Sequence, residues 1–196
     1  LAPGRFAIAI NQPPLPQGAL ARVARGAGAD FLGLAVDWLA IRPERWRHRG
    51  LPPAHLLRLV CDTAPDYAAA LAMLRDTPLA AGAIFSLAGI KPGEAAVIER
   101  AEASHAVIHA APIAAAANGW QGIANPGAPR WRYSAERHAA MAVLLAGPVP
   151  RDFGWLKPPI ANEGSRLATM MSPATGRLEL LGMEGGVAVT QPLYLN

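Results

Sequence analysis

The chain has 196 residues, of which 52% are hydrophobic and 16% are charged; this composition is typical of one globular domain and excludes a disordered chain. The net charge is +4, from 18 basic and 14 acidic residues. Because basic and aromatic residues do not alternate over a long span, nucleic acid is not expected as a partner. A single cysteine, Cys61, excludes a disulfide within the chain and a zinc site built from several thiolates.

The first half of the chain predicts one strand followed by helices. Residues 5–11 are apolar and β-rich and stop at a Gln-Pro-Pro sequence, which predicts a buried strand with Asn11 at its exit. Amphipathic spacing then predicts four helical stretches, the second of them kinked or split at Pro43. These stretches are residues 18–25, 31–48, 53–61 and 67–74. Because only a short connection separates the last two, they are predicted to form a helical hairpin.

After residue 78 the pattern changes to short β-rich runs between turn signals, which is typical of an antiparallel meander. The predicted strands are residues 83–89, 94–100, 106–109, 113–117, 166–171, 177–183 and 186–195. One helix, expected to begin at Ser134, separates the first four of these strands from the last three. This order of elements predicts an α+β fold in which helices are layered on antiparallel sheet.

Two side chains near the middle of the chain are the best candidates for a site. Asn118 ends the apolar run 113–117, and Arg137 lies in the first turn of the helix that Ser134 is suited to cap. Arg137, Met141 and Leu144 share one helix face, so the guanidinium is expected to point inward, where it needs an acceptor or a route to solvent. The simpler alternatives are an arginine that snorkels at the rim of the core and an asparagine that only serves a turn.

Other reactive side chains are assigned to packing. Cys61 lies in the apolar stripe of a helix and is expected to be a buried, inert residue, since a reactive thiol needs a base or cation beside it. His105 and His109 lie in strand-like sequence, where a spacing of four gives no shared helical face for zinc. No metal and no cofactor are expected. No apolar run has the length of a membrane span, and the expected location is the cytoplasm, or the periplasm if a signal precedes this segment.

Five segments occur in a characteristic order: FAIAIN at residues 6–11, residues 51–89, AAANGW at 115–120, YSAERHAAM at 133–141 and RLATMMSPATGRLELLG at 166–182. In this order they resemble the N-terminal-nucleophile (Ntn) hydrolases grouped with acyl-CoA:6-aminopenicillanate acyltransferase, acid ceramidase and choloylglycine hydrolase. The likeness spans nearly the whole chain. Each motif is short, so the order of the motifs is the stronger part of the resemblance.

The resemblance implies a four-layer αββα sandwich of antiparallel sheets with layered helices. It also implies an amide-bond hydrolase or acyltransferase in which an N-terminal cysteine is the nucleophile and its own α-amino group is the base. On this basis Asn11 is the expected oxyanion donor, and Asn118 positions the α-amine or the substrate carbonyl. Arg137 would hold the polar network around the nucleophile. Trp120 and Trp131 are candidates for the wall of an acyl pocket, with simple packing as the alternative.

The nucleophile itself is not among these residues: Leu1 has neither a thiol nor a hydroxyl, and Cys61 belongs to a helix. The chain is therefore expected to be a single domain, the C-terminal larger part of an Ntn fold without its N-terminal strands, and to be inactive alone. The expected partners are a small-molecule amide or acyl substrate and a separate N-terminal segment that carries the nucleophile. The alternative is a non-catalytic binding or scaffold domain that kept the fold and lost the nucleophile.

Overall fold

The computed structural model describes residues 1–14, 23, 32, 35, 39, 50–101, 104–109, 113–124, 127, 133–148 and 150–195. The helices predicted at residues 18–25 and 31–48 lie outside the described residues, apart from single helical positions. The elements with described bounds are, in chain order, β1 (Phe6–Asn11), α1 (Pro53–Thr63), α2 (Tyr67–Asp76), β2 (Ala83–Gly89), β3 (Ala95–Arg100), β4 (His105–His109), α3 (Ser134–Leu145), a 3-10 helix (Phe153–Trp155), β5 (Leu167–Ser172), β6 (Arg177–Glu184), β7 (Val187–Ala188) and β8 (Leu193–Leu195).

Strands β1 to β4 form the first sheet, which is antiparallel and has the strand order β1-β2-β3-β4. Its residues alternate between two faces, as the pleat requires. One face carries Phe6, Ile8, Phe85 and Ile98, which are buried in a single core with the apolar stripes of α1 and α2. The opposite face carries the residues that alternate with these along each strand, and Asn11 of β1 is one of them.

Two arginines from outside the helical hairpin, one half-buried and one buried, bind the C-terminal ends of its two helices. The last carbonyls of a helix have no partner within the helix, and its C-terminus favours positive charge. Arg5 donates to the carbonyls of Cys61 and Ala64 at the end of α1. Arg100 donates to the carbonyl of Leu74 at 2.5 Å and to that of Thr77 at 2.9 Å, at the end of α2. The two helices are therefore attached to the first sheet by polar contacts as well as by the core.

The second sheet is also antiparallel, with β6 in the middle, β5 on one side, and β7 and β8 on the other. Its small core is a separate cluster of Ala161, Ala168, Leu181 and Met183. A backbone hydrogen bond of 2.8 Å, from the Gly4 N–H to the carbonyl of Pro173, joins the segment before β1 to the turn between β5 and β6. The predicted α+β fold with antiparallel sheets is confirmed, whereas the four-layer sandwich stays a prediction.

Two predicted strands are wrong in detail. Residues 113–117 form no strand, and the Ala115 carbonyl in this segment accepts the Gln121 side-chain amide at 2.9 Å. The predicted strand 186–195 is divided into β7 and β8. Pro192 lies between them and has no N–H to donate to a ladder. Every helix within the described residues is too short or too polar to cross a membrane.

Candidate functional site

The site is built on the face of the first sheet that points away from α1 and α2. Asn11 ends β1 on this face, directly opposite Ile84 of β2, which in turn lies opposite Glu99 of β3. Directly opposite residues of neighbouring antiparallel strands present their side chains on the same face. Asn11, Ile84 and Glu99 therefore form a row across three strands, and the polar members stand at its two ends.

Asn118 and Arg137 meet at one end of this row. Arg137 Nη2 donates to Asn118 Oδ1 at 2.7 Å, and Asn118 Nδ2 donates to the carbonyl of Gln12 at 2.7 Å. Gln12 directly follows Asn11, so the amide of Asn118 is attached to the exit of β1. This arrangement joins residues 106 positions apart in the sequence, and it gives the inward-pointing guanidinium the acceptor that the helix pattern required.

Asn11 itself is more loosely held. Its Nδ2 lies 3.4 Å from the carbonyl oxygen of Ala116, which is long for an N–H···O bond. An amide nitrogen carries two N–H donors, and neither is taken up by a short contact with a described residue. The structure thus brings all three predicted residues together. Among the described residues no short contact takes up the Asn11 amide N–H groups, whereas both polar atoms of Asn118 are used to position it.

Ser134 does not cap its helix as predicted. The N-cap residue of α3 is Tyr133, which has a left-handed backbone (φ 63°) and makes no side-chain capping bond. The Ser134 hydroxyl instead accepts the backbone N–H of Asn118 at 3.0 Å. It cannot serve its own helix because it stands at the first helical position and faces the Asn118 turn. Helix α3 therefore holds Asn118 by two residues, Ser134 and Arg137.

The guanidinium of Arg137 supplies the positive charge beside Asn118. Burial lowers the pKa of Arg137 below its ordinary value, although a guanidinium stays protonated at physiological pH. Its Nε is buried and has no hydrogen-bond partner among the described residues. A buried donor without an acceptor costs on the order of 1–3 kcal/mol, so this atom favours an anionic or strongly accepting group beside it. Together these groups can stabilise a thiolate or a developing oxyanion.

Glu99 is a polar residue of this face that the strand pattern did not single out. Its side chain is 0% exposed, and its carboxylate accepts the backbone N–H groups of Gln121, Gly122 and Ile123 at 2.6, 2.9 and 3.0 Å. The alternation of β3 placed Glu99 beside Val97, and both are buried because the 113–124 segment covers them. The sequence signal that could have indicated a binding role for Glu99 is an acidic residue within an otherwise apolar strand.

An apolar cleft of about 310 Å³ lies on the same face. Most of its lining is aliphatic, and two polar side chains join it, His138 and Gln121. The lining residues are Val97, Ile108, Ile113, Ala114, Ala115, Gln121, His138, Ala142, Leu145 and Ala146. Trp120 is half-buried and is not among them; an added Cβ on Gly82 would lie 3.7 Å from its ring. Trp131 lies outside the described residues.

Within the parts of the chain that are described, no three His, Cys, Asp or Glu side chains are grouped so that they could hold a metal ion. The chain matches no protein-family model and no curated protein.

Proposed function

We propose that Asn11, Asn118 and Arg137 form the non-nucleophilic half of an active site. The site would hydrolyse a linear, non-peptide amide or transfer its acyl group, with an N-terminal cysteine outside these 196 residues as the nucleophile. The observation that carries this proposal is the continuous contact from Arg137 Nη2 to Asn118 Oδ1 and from Asn118 Nδ2 to the carbonyl of Gln12, each 2.7 Å long. The four-layer αββα sandwich belongs to the same proposal.

The chemistry follows from these donors. The cysteine thiolate adds to the amide carbonyl carbon, the carbon–nitrogen bond breaks with a proton delivered to the leaving amine, and a thioester forms. Water or an acceptor amine then takes the acyl group and returns the thiol. Asn11 Nδ2 donates to the oxyanion of each tetrahedral intermediate, because its bond to the chain is long and easily exchanged. The positive charge of Arg137 favours the thiolate over the thiol.

The apolar cleft supplies a place for the acyl group. It is lined by Ala114 and Ala115, two residues and one residue before the carbonyl that Asn11 contacts, and by His138, directly after Arg137. A volume of about 310 Å³ is at the small end of the range for ligand sites. In this proposal the acyl chain would lie in the cleft against Ala114, Ala115 and His138.

The mature protein from its native source tests the proposal. Intact mass and N-terminal sequencing identify its first residue, and a fluorogenic acyl amide and an acylating thiol probe measure activity. We expect an N-terminal cysteine that takes up one acyl group, and a loss of about 100-fold or more in kcat/KM for Asn11→Ala. Asn162→Ala, in the loop before β5, and Arg58→Lys, on the exposed side of α1, are controls with wild-type rates. A mature chain without an N-terminal nucleophile, or an Asn11→Ala variant with the wild-type rate, would contradict the proposal.

One observation favours the alternative, a non-catalytic binding domain. One face of the second sheet exposes the large apolar side chains Val187, Leu193 and Leu195, and a grouped apolar surface is typical of an interaction site. The same probe separates the two functions, because a binding domain forms no covalent adduct even when the complete mature protein is used.

A further inference from the structure

We infer that Glu99 is a positioning residue of this site: it fixes the loop that carries Asn118 and, through Asn118, the guanidinium of Arg137. The inference rests on the proposed function for the catalytic meaning of those two residues. The positioning itself is argued from the geometry alone. Glu99 lies 88 residues after Asn11 in the sequence (99 − 11), yet it lies in the same cross-strand row.

The first step is the number of bonds that the carboxylate makes. Three consecutive backbone N–H groups, of Gln121, Gly122 and Ile123, converge on its two oxygens at 2.6–3.0 Å. Bonds to an ionised acceptor are about twice as strong as neutral ones. A carboxylate without any exposed surface needs such partners. The loop after Asn118 is therefore attached to the C-terminal end of β3, through a side chain that is shielded from solvent.

The second step is the spacing of the row. Adjacent strands lie about 4.8 Å apart, so Asn11 and Glu99, two strands apart, are separated by roughly 10 Å. Next to Asn11, the carbonyl of Gln12 accepts Asn118 Nδ2 at 2.7 Å, and Glu99 binds the N–H groups of residues 121–123. The segment from 118 to 123 is thus held at both ends of this row of the sheet.

The third step is the close approach of Gly122. Ala106 of β4 lies directly opposite Glu99, and a Cβ added to Gly122 would lie 2.7 Å from the Cβ of Ala106. Only glycine allows the loop to come this close to the sheet. Gln121 adds a further constraint, because its Nε2 donates to the carbonyl of Ala115 at 2.9 Å. These contacts therefore fix the loop on either side of Asn118 in one position on the sheet, and Glu99 supplies the charged contact among them.

Glu99→Gln in the full mature protein tests this role, because it keeps the side-chain size but turns an NH₂ group toward N–H donors. We expect kcat/KM for the fluorogenic amide to fall by about 100-fold with KM nearly unchanged, since misplacing a catalytic group acts on the chemical step. We also expect the ¹⁵N–¹H signal of Arg137 Nε, assigned by its loss in Arg137→Lys, to shift. Hydrogen exchange at residues 121–123 should become faster.

A second pair of variants reaches the same loop without touching the carboxylate. Gly122→Ala should move the Arg137 Nε signal and lower the rate as Glu99→Gln does, because its new methyl group displaces the loop from Ala106. Adding Ala106→Gly removes that clash and should restore both readouts, while Ala106→Gly alone should leave both near wild type. This pair keeps the inference testable if Glu99→Gln does not fold.

The outcomes separate the two proposals. A shifted Arg137 Nε signal in a protein without amidase activity would support the positioning role and remove the proposed reaction. Fast exchange at residues 121–123 with an unchanged Arg137 signal and an unchanged rate would overturn the positioning role, since Glu99 would then only hold its own loop.

Discussion

The first and second sheets are both four-stranded and antiparallel, but they are buried to very different degrees. The first sheet is covered on one face by α1 and α2 and on the other by the 113–124 segment, so that Phe85, Val97 and Glu99 are all buried. The second sheet buries only a few apolar side chains and leaves Val187 and Leu193 exposed. The candidate site lies on the first sheet, where packing can hold polar side chains in one geometry.

The comparison extends to the polar groups. Buried ones in the first region, such as Glu99 and Arg100, bind two or three backbone groups each. In the second region Glu179 is buried but pairs with Arg177, which is half exposed, at 2.8 Å. Loss of a polar contact should therefore cost more stability in the first sheet than in the second, because a buried group that loses its partner cannot form a hydrogen bond with water instead.

The largest expected effect comes from a series of leucine truncations across the two regions. Leu74 is 0% exposed, Leu181 6% and Leu193 54%. Leu74→Ala should lower the free energy of unfolding by about 3–5 kcal/mol, Leu181→Ala by about 2 kcal/mol, and Leu193→Ala by less than about 0.5 kcal/mol. Urea unfolding at one pH measures all three. An equal cost for Leu193→Ala and Leu74→Ala would show that the apolar surface of the second sheet is covered.

A smaller effect is expected for arginines that donate to two backbone carbonyls. Burial lowers the pKa of Arg100, and its bonds to Leu74 and Thr77 offset that cost. Arg100→Met should lower the free energy of unfolding by roughly 2–3 kcal/mol, because bonds to charged groups are worth more and two carbonyls lose their partner.

Arg166 is the matched control for Arg100. It donates to the carbonyls of Glu163 at 2.8 Å and Ser165 at 3.2 Å in an exposed loop before β5. Arg166→Met should cost less than about 0.5 kcal/mol. Thermal unfolding of both variants checks this, and similar losses would mean that burial does not set the value of these contacts.

The smallest expected effect concerns a tyrosine hydroxyl. Burial, and next the nearby Glu94 carboxylate, raise the pKa of Tyr67, and its hydroxyl has no partner among the described residues. The folded state therefore keeps this proton longer than the unfolded state. The contribution to stability is complete below pH ~10, the unfolded pKa, and is lost as the pH rises through the folded pKa.

Tyr67→Phe should be within about 1 kcal/mol of wild type at neutral pH and should lose less stability than wild type above pH ~10. Tyr194→Phe, in an exposed strand of the second sheet, controls for the deletion of a hydroxyl as such. Denaturant midpoints at pH 8 and above pH 10 measure the difference. A parallel decline of wild type and Tyr67→Phe would assign the alkaline sensitivity to other groups.

Local pattern predicted most of the elements because their causes are local. The apolar stripe of Leu56 and Val60 after a proline in the first turn marks α1, and Asp66 caps α2 through the N–H of Ala69 at 2.9 Å. The strand at residues 83–89 was predicted with the bounds that β2 has. The pattern failed where a distant group intervened, as at Ser134, whose hydroxyl accepts the N–H of Asn118 and does not cap its own helix.

The sequence by itself determined the α+β character, the helical hairpin, and the choice of Asn11, Asn118 and Arg137 as candidates, since these follow from periodicity, caps and motif order. Only the tertiary structure decided that the three residues lie at one face of the first sheet. It also decided that Glu99 and Gly122 fix the position of the loop that carries Asn118. The physical reason is that these contacts join positions up to 106 residues apart. Their geometry depends on strand register and on close approach of the backbone, neither of which is encoded in any local spacing.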